Sequence, residues 1–194
     1  MSEHQQAIKP EREGAPITPQ VWIGSLADYV AGKLVGAWID ANQEPDELLQ
    51  AIQEVFARSG EPGAEEWAIF DHEGFNPFQL GTNEDVRIIS AVAKGITEHG
   101  EAFASWAELH DGDLDMLAHF QDAYLGHFAS AADFGQQLLD DFEVEEALDR
   151  EVPEWIRRHI QVDTEGLADD MALSGDVWIE EAPSGGIYVF DTRA

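Results

Sequence analysis

One run of carboxylates has the spacing of a metal loop. Asp111-x-Asp113-x-Asp115, followed by Asp122, puts acids at positions 1, 3, 5 and 12 of a calcium-binding segment. Such a loop needs Gly at its sixth position for the sharp turn and a bidentate Glu at its twelfth, and Met116 and Asp122 stand there. The seven histidines (His4, His72, His99, His110, His119, His127, His159) fall in no HExxH, HxH or HxxxH pattern. There is no cysteine, hence no thiolate nucleophile, disulfide or Cys-ligated metal. No serine lies in a GxSxG setting, and neither GxGxxG nor GxxxxGK[ST] occurs, so nucleophile elbow and phosphate cradle are both missing. Paired carboxylates suited to glycoside chemistry occur almost everywhere and therefore single out no site. A metal-dependent hydrolase on the 111–122 run is the enzymatic alternative. The favoured reading has no catalytic residue, no metal and no cofactor.

The charge balance says more. The chain has 194 residues, with 40 Asp+Glu against 10 Lys+Arg, a formal charge of −30 and a pI near 4.1. Residues 1–94 hold 16 acids and six bases, a net of −10, and residues 95–194 hold 24 acids and four bases, a net of −20. Residues 95–149 carry 14 acids and no Lys or Arg, and residues 159–192 carry eight acids and again none. Ordinary soluble surfaces mix both signs, because like charges repel. Such an excess argues against direct binding of nucleic acid or anionic lipid, both polyanions, and for a cationic partner. A halophilic-type acidic protein, whose acids only hold water and salt, is the other alternative. No stretch of about 18 apolar residues exists to span a membrane, and 1–16 reads as a flexible tail rather than a signal peptide, so a cytoplasmic location is expected.

The elements that must carry these charges are short. Residues 20–26 and 34–39 read as paired strands, with ADYVAGK as the turn between them and Gly32 free to take a positive φ. A helix starts near Asn42 or Glu44–Pro45, with Leu48, Leu49, Ile52, Val55 and Phe56 as its buried stripe. Pro62-Gly63 makes a loop and 67–70 a third strand, completing a β-β-α-β unit. Thr82 or Asn83 caps a helix from Glu84, with Val86, Ile89, Val92, Ala93 and Ile96 inward and Gly95 and Gly100 weakening its end. A further helix covers 101–109. Ser130 caps another, with Phe134, Leu138, Leu139 and Phe142 buried. DVWIEEAPSGGIYVFD reads as a terminal β-hairpin. The expected class is α+β, in three small modules at 17–71, 72–110 and 111–194, arranged as an elongated chain.

Duplex DNA carries one charge per about 1.7 Å of axis, so thirty charges match about 50 Å, or roughly 15 base pairs. Carboxylates three or four apart on a helix lie about 5–6 Å from each other, close enough to phosphate spacing to engage Lys and Arg placed to grip DNA. A chain of small modules displays such charge over a greater length than a sphere with a radius of gyration of about 16 Å. Polyanion imitation therefore becomes the leading idea.

Specific segments support it. VWIGSLADYVAGKLVGAWIDA, PGAEEWAIFDHEGF, DAYLGHFASAADFGQQLLDD, VPEWIRRHI and GGIYVFD follow one another over residues 17–193. Together they resemble the ArdA antirestriction family. The resemblance implies an elongated three-module α+β dimer that mimics bent duplex DNA and occupies the DNA-binding groove of type I restriction–modification enzymes, each a methyltransferase core with a specificity subunit. Such proteins travel on mobile genetic elements. The expected contact surface is distributed over Asp111, Asp113, Asp115, Asp122, Asp133, Asp140, Asp141, Glu143, Glu145, Glu146, Asp149, Glu151, Glu154, Asp163, Glu165, Asp169 and Asp170.

Overall fold

The computed structural model describes residues 18–61 and 64–194. The expected tail at 1–16 and the Pro62-Gly63 loop lie outside the described residues. The N-terminal unit runs β1 (Gln20–Ser25), α1 (Leu26–Val30), β2 (Gly36–Asp40), α2 (Pro45–Phe56) and β3 (Trp67–Glu73). Its strands form an antiparallel sheet ordered β2-β1-β3. Alternation along β1 sends Val21 and Ile23 inward opposite Ile39 and Ala37 of β2, while Trp22 and Trp38 pair on the outer face. Helix α2 closes the inner face with Leu48, Ile52 and Val55. Each of these side chains stabilises the unit by roughly 1.5–3 kcal/mol through burial. Pro45 opens α2, and the Glu47 carboxylate accepts the Glu44 amide at 3.0 Å, closing an orphan N–H of the first turn.

The helical middle is α3 (Val86–His99), α4 (Glu101–Leu109), α5 (Leu114–Ala118) and α6 (Phe120–Ala123). The last part is β4 (Tyr124–Phe128), α7 (Ala131–Asp141), α8 (Val144–Glu151), α9 (Glu154–Arg157), α10 (Thr164–Ser174), β5 (Val177–Glu181) and β6 (Ile187–Asp191). Strands β5 and β6 form the terminal hairpin, with Gly185 and Gly186 at φ of 94° and 83°, and β6 is central in the order β4-β6-β5. The class is therefore mixed α+β, as expected. One cluster of buried apolar side chains runs from Val21 through Phe103 and Trp106 to Phe190, and Trp106 Nε1 donates to the Met116 carbonyl at 2.8 Å. A second cluster, Phe134, Ala168, Val177 and Val189, joins α7 and α10 to the second sheet.

Several expectations need correction. ADYVAGK is not a simple turn. It holds α1, capped by the Ser25 hydroxyl accepting the Asp28 amide at 3.3 Å, and only Gly32 turns, at φ 77°. β2 starts at Gly36 rather than residue 34, and β3 continues past residue 70 to Glu73. α3 begins at Val86, capped by Asp85, whose carboxylate accepts the Arg87 amide at 2.8 Å, and not by Thr82 or Asn83. Gly95 does not weaken α3. The ring of Phe103 rests where its Cβ would be, so glycine lets α3 and α4 meet. Leu49 is exposed. Phe142 is 77% exposed, because α7 ends at Asp141 and Glu143 turns the chain with φ 51°. Helix α10 has no counterpart in the sequence reading.

Candidate acidic interaction surface

All of the acids named from the sequence, Asp111 through Asp170, are exposed. They reach the surface by a few local devices. Asp113 caps α5, accepting the Asp115 and Met116 amides at 2.9 and 3.2 Å, and Asp163 caps α10, accepting Gly166 N at 2.9 Å. The Asp133 carboxylate accepts the Ser130 hydroxyl at 2.6 Å at the start of α7. Further along α7, Gln136 Nε2 donates to Asp140 at 2.9 Å and Gln137 Nε2 donates to Asp141 at 2.8 Å. Helices α7 and α10 pack side by side. Phe134, Leu139 and Ala168 turn inward, leaving Asp133, Asp140, Asp141, Glu165, Asp169 and Asp170 in solvent. The close approach depends on Gly135, because a Cβ there would collide with the Thr164 carbonyl oxygen. Gly135 was not singled out from the sequence. A glycine midway along a helix with an apolar face is the signal that marks such a crossing.

Six of the eight bases among the described residues are paired with acids of the chain; exposed Arg158 donates to the Trp155 carbonyl at 3.3 Å. Lys33 pairs with Glu61 at 2.7 Å, Arg87 with Asp85 at 2.5 Å, Lys94 with Glu44 at 2.7 Å and Arg150 with Glu151 at 3.0 Å. Arg157 lies between Glu145 and Asp149, and Arg193 between Asp176 and Asp191. Of the expected contact acids, Glu145, Asp149 and Glu151 are thus partly neutralised, and the others have no Lys or Arg partner among these pairs. Hydrogen bonds from Arg87 and Arg193 hold the Asp85 and Asp191 carboxyls below the usual range.

Among the described residues no group of three or more His, Asp or Glu is placed to hold a metal ion. The 111–122 run is spread over a turn at Asp111 (φ 51°), the Asp113 cap and α6, so its carboxylates do not converge. Two buried polar groups were not anticipated. Asp28 is wholly buried, and its carboxyl is held low chiefly by the Ser59 hydroxyl, then by that of Ser25. His110 stacks edge-on against Trp106 with ring centroids 4.0 Å apart; its buried Nε2 has no partner among the described residues, and burial holds its pKa below the ordinary value.

Against known families, the model described as "Antirestriction protein (ArdA)" matches residues 21–183. The chain belongs to the ArdA antirestriction family. The match takes in the first sheet, the helical middle, all of the acidic helices and β4 and β5 of the second sheet, and stops short of β6, so the ArdA assignment rests on most of the described fold and not on one motif. No curated protein matches the chain. Membership in ArdA carries an antirestriction function, exerted on restriction enzymes. No helix of the described residues is long and apolar enough to cross a membrane.

Proposed function

We propose that the protein imitates the phosphate surface of duplex DNA and competes for the DNA-binding groove of a type I restriction–modification enzyme. The reading is supported by one observation above others: α5 to α10 expose carboxylates throughout, while three of the four bases of this half, Arg150, Arg157 and Arg193, are paired with acids of the chain and the fourth, exposed Arg158, donates to the Trp155 carbonyl. A groove that grips DNA through Lys and Arg meets a surface of the same sign and similar spacing, and counterions leave both partners on contact. The protein performs no bond-making step. Its helix packing holds the carboxylates in place before binding, so little ordering free energy is lost on association. The same charge argues against direct binding of nucleic acid. A homodimer, and modules at 17–71, 72–110 and 111–194, belong to the proposal.

The test is steady-state cleavage by a purified type I enzyme over a range of duplex DNA concentrations. Competitive inhibition, overcome by added DNA, is expected. Inhibition unaffected by DNA concentration would remove the proposal.

A further inference from the structure

The outer face of the N-terminal sheet is aromatic, and polyanion imitation makes no use of it. Trp22 and Trp38 pair across β1 and β2, and the Trp22 ring lies over Gly24 and Gly36, where a Cβ would strike it. Phe70 is the extra residue of a bulge: the β1 partner changes from Asp71 at Trp22 to Ile69 at Ile23. Its ring meets Trp22 at 5.5 Å and Tyr29 at 5.0 Å between centroids. In this layer Phe70 is 37% exposed and Tyr29 58%, and in α1 and the segment that follows it Val30 is 85% and Leu34 68% exposed.

The patch is also held rigidly. α1, which carries Tyr29 and Val30, is capped by Ser25, and the buried Asp28 carboxylate accepts the Ser59 hydroxyl of the loop after α2. Lys33 ties the following turn to Glu61 at 2.7 Å, and its amide donates to the Asp28 carbonyl at 2.8 Å. Exposed aromatic and aliphatic groups on a fixed frame mark contact surfaces rather than solvated ones. The rim is acidic: Asp40 is exposed at one end of the sheet, Asp71 on β3, and Glu65 and Glu66 just before β3. Lys33, a cation of the turn after α1, is paired with Glu61. A second copy of this chain would bring acid against acid, whereas a basic surface is attracted.

We infer that this face is a second docking surface, which receives a basic segment bearing apolar side chains on the same restriction enzyme. The inference rests on the proposed function, and it divides binding into two parts. The acidic helices and the acidic rim supply a salt-sensitive part, and the apolar side chains of the face a part that survives salt, since apolar contact is not screened.

The experiment compares the full chain with the V30S/L34S double variant and the Y29S/V30S/L34S triple variant. None of these residues belongs to the acidic surface, and Val30 and Leu34 lie open to solvent. The probe is a purified type I methyltransferase core with its specificity subunit, with Kd measured at about 50 and about 300 mM salt. The variants keep the parent circular dichroism and melting point, lose about tenfold in affinity at both salts, and keep the parent's salt slope because no charge has changed. Equal Kd values for a folded double variant and the parent overturn the inference. A fall in sedimentation mass for the free double variant also overturns it, since a second copy then covers the face. Failure of the parent to bind, or to be displaced by duplex DNA, strikes the proposed function instead.

Discussion

Asp140 and Asp141 occupy the last turn of α7, where the helix dipole presents its negative end. Each is therefore placed against the interest of folding by about 0.3–1 kcal/mol at low salt. Their neighbours offer hydrogen bonds from Gln136 and Gln137 but no positive charge. Changing both to asparagine removes the unfavourable charge and keeps an oxygen to accept those amides. The D140N/D141N variant thus gains about 0.6–2 kcal/mol of stability, a rise of roughly 1–8 °C in melting temperature for a chain of this size. Inhibition moves the other way. If each acid faces one cation of the target at the value of an exposed ion pair, about 0.2–1 kcal/mol, the pair is worth about 0.4–2 kcal/mol, or a two- to thirtyfold loss of affinity. Scanning calorimetry at low salt gives the first quantity, and titration of a type I methyltransferase core gives the second. A variant that melts lower, or melts higher and binds undiminished, refutes the idea that these acids are kept for binding at the expense of folding. A single Asp→Asn change that abolishes inhibition in a folded protein refutes distributed contact.

Two further outcomes follow from the packing. G135A places a methyl group against the Thr164 carbonyl, so it lowers stability by about 1–3 kcal/mol, read from denaturant unfolding, and it weakens inhibition by spreading α7 from α10. His110 has a folded pKa below its unfolded value. Its contribution to stability is therefore complete above about pH 6.5 and is lost as pH falls towards the folded value. The parent's melting temperature drops between about pH 7 and pH 5.5, and H110N flattens that part of the curve; an equal drop in H110N assigns the effect to groups other than His110, and not to Asp28 or Asp85, whose lowered carboxyl pKa values release their contribution only below about pH 5.

The elements with strong local signals were legible in the sequence. α2 has Pro45 and an apolar stripe, 101–109 matches α4 at both ends, and the hairpin about Pro183-Ser184-Gly185-Gly186 is where alternation placed it. What was missed depends on contacts distant in sequence. α1 is too short to show periodicity, and it persists because Asp28 is anchored to Ser59, 31 residues away. α10 buries fully only Ala168 and leans on Gly135 of α7, so its apolar signal is weak. Phe142 was placed inside by extending the periodicity of α7 one residue too far. As for the candidate surface, composition indicated that its acids would be outside, and the named acids from Asp111 to Asp170 are exposed, whereas Asp28 of α1 is buried. It could not indicate that Arg157 would be shared by Glu145 and Asp149, or that the paired aromatics Trp22 and Phe70 would sit on an outer face.

The central claim is that inhibitor and DNA occupy one groove by one kind of interaction. The most direct measurement displaces a labelled duplex from a type I methyltransferase core with this protein and repeats the titration from about 50 to about 300 mM salt. Complete displacement, with an inhibitor affinity that falls as salt rises, is the predicted result. A ternary complex of enzyme, duplex and inhibitor, or an affinity independent of salt, contradicts it.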